Sequence, residues 1–189
     1  MKDTQKKILE TCCLLLAKHG YSSFSYGLVA EHMQVSKGLV AYHFPQKSVI
    51  FQRLIEDYFA EITDHLTQVI HTDESATAIL NAYILGTLQY VQEHKIQTLA
   101  IMEVISNERS DNGELIYHSS TGIKEPIIEI LRYGQESNEF LCCDNDIMAK
   151  LIRSLIDTCS YEIAHNRCEN EEYFISQTIQ YIQHMVEEK

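Results

Sequence analysis

The chain is poor in the residues that interrupt helices. Two prolines and seven glycines serve 189 positions, and Asn-Gly, the strongest short hairpin signal, occurs once. No apolar/polar alternation runs longer than a few residues, which excludes a protein built on β-sheet. The six cysteines (Cys12, Cys13, Cys142, Cys143, Cys159, Cys168) form no C-x-x-C pair and are too sparse for a disulfide scaffold, so a reducing cytoplasm is the expected compartment. No stretch approaches the ~18 continuous apolar residues of a membrane span. The run Cys12–Ala17 is too short for a signal peptide, and Lys18-His19-Gly20 follows where a cleavage site would stand. G-x-S-x-G, the phosphate-binding loop, the dinucleotide fingerprint and H-E-x-x-H are all missing, so neither an enzyme nor a cofactor is expected. Cys159, His165 and Cys168, at steps of six and three, do not align on one helix face to ligate zinc, and no metal site is expected.

Charge is present, and unevenly. The net −12 argues at first sight against nucleic acid. Residues 1–53, however, hold seven Lys/Arg against three acids, a balance of +4, and residues 54–189 hold eight against twenty-four, a balance of −16. An asymmetry of this kind fits an amino-terminal part that meets phosphates and a remainder that repels them, orienting the encounter.

Within the basic part, Ser25 can cap a helix from Tyr26 to about Met33. Ser36 can cap a second, two-turn helix that carries Lys37, Tyr42 and His43 and ends at Phe44-Pro45. Two short helices with polar residues on the second describe a helix-turn-helix docking in a major groove. The order of features resembles the TetR family of bacterial transcription regulators. An amphipathic first helix leads to His19-Gly20-Tyr21, Phe24-Ser25, Val29-Ala30, Val35-Ser36-Lys37-Gly38 and His43-Phe44, with Lys47 following. The resemblance covers roughly residues 5 to 55; beyond them it extends only to length and helical pattern. Gln34 stands where the family often has a turn glycine, which predicts a turn with no need of positive φ. Ala41 stands where a tyrosine is common, with Tyr42 one place later.

Helical periodicity continues to the end of the chain. A long helix is expected from about Gln46 to Ile70, then helices at about Ser75–His94, Ile96–Ser106, Thr121–Gln135, from Asp144 or Asn145 to about His165, and from Asn170 to about Met185. The fold class is therefore all-α, with about nine helices. A three-helix DNA-binding domain (1–50) is joined by the long helix to a helical ligand-binding and dimerisation domain (51–189).

Lys37 can donate to a guanine edge or a phosphate, and Gly38 permits close approach of the backbone. Leu39 offers apolar contact. Tyr42, His43, Lys47 and Tyr26 have donors suited to phosphate oxygens, and Ser25 and Ser36 sit at helix starts that favour an anion. The last two helices are apolar around a wide arc, including Leu151, Leu155, Cys159, Ile175, Ile179 and Ile182. Either they are deeply buried, or a second apolar face packs on a twofold-related copy.

An effector is expected among Tyr58, Phe59, Tyr83, Tyr90, Met102, Glu103, Tyr117, Asp157 and Tyr161, where aromatic and isolated polar groups would converge. The acidity favours a cationic ligand, with a hydrophobic acid or acyl compound as the alternative. The family resemblance implies a homodimeric repressor of a pseudo-palindromic operator, released by a small lipophilic molecule, without a membrane partner. Two other readings stay open. One is a helical interaction protein with a degenerate motif, and the other is a repressor sensing thiols through Cys142, Cys143 or Cys159.

Overall fold

A computed structural model describes residues 2–71, 74–110, 112–116 and 125–187. Among them the chain is all α. The helices are α1 (Lys2–His19), α2 (Tyr26–Met33), α3 (Lys37–His43), α4 (Lys47–Val69), α5 (Ala76–Glu93), α6 (Lys95–Asn107), α7 (Glu125–Glu136), α8 (Asn145–Ala164) and α9 (Glu171–Val186), with a 3-10 turn at Tyr21–Ser23. Extended pairing among the described residues is confined to two isolated bridges, Arg109 with Leu115 and Phe140 with Glu187. The expected start of the seventh helix, Thr121 to Lys124, lies outside the described residues. None of the described helices is long and apolar enough to cross a membrane.

Helix starts follow local chemistry. Ser75, Asp144 and Asn170 each turn a side-chain oxygen back to an N–H of the first turn, at Ala78, Ile147 and Tyr173. α5 receives a second cap from far along the chain. Glu139 accepts from Ala76 and Thr77 at 2.9 and 3.1 Å, and those two N–H groups hold its carboxyl below the usual range.

Packing divides the chain elsewhere than at residue 50. One compact unit comprises Met1–Glu61 with Ile96–His118, and the other Ile62–Lys95 with Ser119–Lys189. α6 joins the first because it returns to α1 and α4. The thiol of Cys13 points to the Ile96 carbonyl at 3.9 Å, and the Tyr58 and Thr98 hydroxyls meet at 2.9 Å. Ile8, Cys12, Leu16, Phe24, Val29, Val40, Ile50 and Phe51 form the buried centre of this unit.

In the second unit, α5 packs with α7, α8 and α9. Its centre holds Leu80, Ile84, Leu88, Ile127, Leu131, Ile152, Ile156 and Ile163, all essentially inaccessible. Gly86 lets α5 lie close against the last turns of α4, since a Cβ there would fall 2.9 Å from Val69 Cγ2. Lys95, Glu171 and Gln92 close one edge of this unit, with Lys95 Nζ 2.6 Å from Glu171 Oε1.

Candidate nucleic-acid interface

α2 and α3 have only eight and seven residues, too few to be stable alone. Three devices hold them. Ser25 Oγ accepts from Leu28 N–H and Ser36 Oγ from Leu39 N–H, both at 3.2 Å. Val29, Ala30 and Val40 are buried where the two helices meet. The Tyr26 hydroxyl donates to the Phe44 carbonyl at 2.6 Å, tying the start of one helix to the end of the other.

That last bond corrects the expected role of Tyr26. Its proton is committed inside the motif, so it has no donor for a phosphate. The turn also differs from expectation. Gln34 sits at φ 55, ψ 43, with its N–H directed to Ala30 and Glu31 carbonyls, while Val35 N–H reaches Ala30 O at 2.9 Å. This is the left-handed closure that usually takes glycine, so the missing glycine did not remove the positive φ. The two N–H groups close the end of α2 on its own last carbonyls.

With the apolar side chains turned inward, the remaining expected contacts stand out to solvent. Lys37, Gly38 and Lys47 are exposed, Leu39 and His43 are half-buried, and Tyr42 is 73% exposed, its ring meeting His43 edge-on at 5.2 Å. Lys47 is also oriented. Its Nζ donates to the Phe24 carbonyl at 2.7 Å and lies 5.7 Å from the Phe24 ring centre, which leaves two of its three protons for an anion.

The expected effector residues do not form one cluster within either unit. Tyr58, Phe59, Met102 and Glu103 belong to the first unit, and Tyr83, Tyr90, Asp157 and Tyr161 to the second. Tyr117 lies outside the described residues. Glu103 is occupied elsewhere, because its Oε2 accepts the Tyr21 N–H at 2.9 Å. Tyr161 is exposed on α8 beneath Arg167 rather than turned inward. Tyr90, buried, stacks on His94 at 4.0 Å.

Tyr83 and Asp157 are linked by Arg153, which the sequence reading passed over. Its guanidinium grips Asp157 Oδ1 through Nε and Nη2 at 2.9 and 2.7 Å, and also bonds to the Tyr83 hydroxyl. Burial raises the Tyr83 phenol, and Arg153 opposes the rise. No sequence signal separates this arginine from a solvated i,i+4 pair.

The expected pairing residues also sort by burial. Cys159, Ile175 and Ile182 are taken up in the chain's own core, the thiol lying 2.9 Å from the Thr178 hydroxyl. Leu155 and Ile179 are half-buried, and Leu151 is 49% exposed. The apolar arcs of α8 and α9 are wide because α5, α7 and α9 pack on α8, and α5 and α8 on α9. The side chains left out are Ile147, Leu151 and Tyr161 on α8 and Tyr173 and Tyr181 on α9. Burial raises the thiols of Cys12 and Cys13, to about 12 and about 11, and those of Cys143, Cys159 and Cys168 more modestly. Each is thereby held in its less reactive form. No group of three or more metal-binding side chains converges among the described residues.

Capped short helices, an exposed polar edge and a helical body define a helix-turn-helix transcription regulator that binds DNA. Residues 8–54 match the family model of bacterial regulatory proteins, tetR family, so the amino-terminal part of the chain is a TetR-type DNA-binding domain. It is 23% identical to the "Probable acrEF/envCD operon repressor" of Escherichia coli K12 over 171 residues, covering 86% of this chain and 75% of that one. It is 25% identical to the HTH-type regulator YuxN of Bacillus subtilis over 95 residues, half of this chain and about a third of YuxN (33%). A tetR-family regulatory protein from Rhodococcus RHA1 shares the fold at a TM-score of 0.79 and 14% identity, over 97% of this chain and 96% of that one.

Proposed function

We propose that the chain is a repressor that binds a pseudo-palindromic operator as a homodimer and leaves it when a small lipophilic effector binds. In this division of labour residues 1–50 read DNA, and residues 51–189 take the effector and pair the subunits. The observation that carries the reading is the motif itself. Its apolar side chains and caps are spent on folding, while Lys37, Tyr42 and Lys47 remain exposed in the basic part of the chain.

One such motif makes too few contacts to select a site from a genome, so a second copy must supply the other half-site. Ile147, Leu151, Ser154, Thr158 and Tyr161 recur at steps of four, three, four and three along α8 and are all exposed, with Tyr173 and Tyr181 exposed on α9. An apolar and aromatic strip of this kind suits a twofold helical interface. The E. coli relative, named as a repressor, supports the direction of control. Arg153, only 12% exposed and held between Tyr83 and Asp157, favours an effector with an acidic head over a cationic one.

Selection of bound duplexes from a random pool tests the reading. The expected product is a two-half-site sequence with half-sites about 10 base pairs apart, bound with an affinity that falls steeply with salt. Lys37→Ala should lower the salt slope by about one. Flat, weak binding to every duplex would instead support a helical interaction protein. For the effector, decanoate should raise the melting temperature where decyltrimethylammonium does not, and Arg153→Gln should abolish the rise.

A further inference from the structure

Two carboxylates at the end of α6 hold one residue of the first unit by both its polar ends. Glu103 Oε2 accepts the Tyr21 N–H at 2.9 Å. The Tyr21 hydroxyl donates to the carboxylate of Glu108, which is 8% exposed. Gly20 makes the grip possible. It turns the chain at φ 75, and a Cβ there would press to 3.3 Å from the same Glu103 oxygen.

Direct contacts continue from Tyr21 toward the DNA-facing edge. Its ring meets Phe51 at 5.4 Å between centres, and Phe51 meets Phe24 at 5.2 Å. The Phe24 carbonyl and ring then seat Lys47, at 2.7 Å and 5.7 Å. Adhesion alone does not explain the polar end of this line. A phenylalanine at position 21 would meet Phe51 equally well and would spare the chain a shielded carboxylate, whose desolvation is costly. What the two carboxylates add is direction, since hydrogen bonds at both ends of Tyr21 fix the ring's position as well as its burial.

We propose that Glu103, Glu108 and Tyr21 are positioning residues for operator binding. Gripped from α6, the Tyr21 ring sets Phe51 and Phe24, and these set where the Lys47 ammonium meets the phosphate. The inference rests on the operator-binding reading and adds the residues that aim one of its contacts.

The test uses the duplex selected by the wild-type protein and two variants that keep the side-chain shapes, Tyr21→Phe and Glu108→Gln. Tyr21→Phe should weaken binding about 5- to 10-fold at fixed salt, as expected for losing one hydrogen bond to a charged group. The melting temperature should move by no more than a few degrees, and the slope of affinity against salt should not change. Glu108→Gln retains an acceptor oxygen and should fall between Tyr21→Phe and wild type.

The reading a purely structural role would not move is a double-mutant cycle. In a Lys47→Ala background, Tyr21→Phe should cost less than about twofold. Unchanged affinity in Tyr21→Phe would overturn the proposal, and so would the same loss with and without Lys47. A salt slope lower by about one would overturn it too, since Tyr21 would then itself be touching a phosphate. If the wild-type protein selects no duplex, the operator-binding reading falls and this inference with it. If it does and the variants bind equally well, only the inference falls.

Discussion

α3 and α8 solve the same problem in opposite ways. α3 has seven residues and buries one side chain, Val40, whereas α8 has twenty and buries seven. The short helix is held at its ends, by Ser36 and by the bond from Tyr26 to Phe44. The long one is held along its length by Ala149, Ile152, Ile156, Cys159, Ser160, Ile163 and Ala164. Each device leaves a different surface over. End-holding leaves the polar sides of α3 exposed, and side-holding leaves Ile147, Leu151 and Tyr161 exposed on α8; in the proposed reading the first surface meets DNA and the second a second copy of the chain. Under that reading the contrast accounts for a chain of net −12 that keeps an exposed polar edge in its basic amino-terminal part.

If that contrast is correct, deletions should cost most in the long helix. Ile156→Ala should destabilise by about 2–5 kcal/mol in chemical denaturation, the range for a large aliphatic side chain cut from a packed core. A loss near the cost of one cap would mean that α8 is not held by burial. Next is the strip itself. Leu151→Arg should give single chains in sedimentation at micromolar concentration and lower affinity for a two-half-site duplex by about 100-fold, a fraction of the 10³–10⁷ separating specific from non-specific binding. A variant that still sediments as a dimer would place the pairing surface elsewhere.

At the reading end, Ser36→Ala should cost about 1 kcal/mol, the ordinary value of an N-cap. Gln34→Gly should stabilise by about 0.5–1 kcal/mol, because glycine enters the left-handed region without the Cβ clash and the gain is partly offset by its greater freedom when unfolded. No gain there would mean that Gln34 makes a compensating contact.

The smallest effect concerns acid. Backbone N–H groups of Ala76 and Thr77 depress Glu139 below its ordinary 4.5, so its contribution is fully present above that pH and disappears as pH falls through the lowered value. Glu139→Gln should therefore be less stable than wild type near neutrality and converge on it below about pH 4.5.

Helix positions were legible to within a residue or two nearly throughout. Ser25, Ser36, Ser75, Asp144 and Asn170 declare helix starts by an interaction that reaches only three residues along the chain. The exposure of Lys37, Tyr42 and Lys47 was legible too, since they are polar residues beside Val40 and Phe44, whose burial the helical period predicts. Long-range partners were not. Glu139 capping α5, Arg153 bridging Asp157 and Tyr83, and Glu108 receiving Tyr21 each join positions that sequence leaves unrelated.

The sequence by itself determined that this protein is helical, where most of its helices begin, and which end is basic, because capping, period and charge are properties of neighbouring residues. Only the tertiary structure decided that Tyr26 is occupied and which apolar residues of α8 and α9 are left outside. Each of those depends on what another helix brings to the same place, and burial is a property of the assembled fold rather than of the side chain alone.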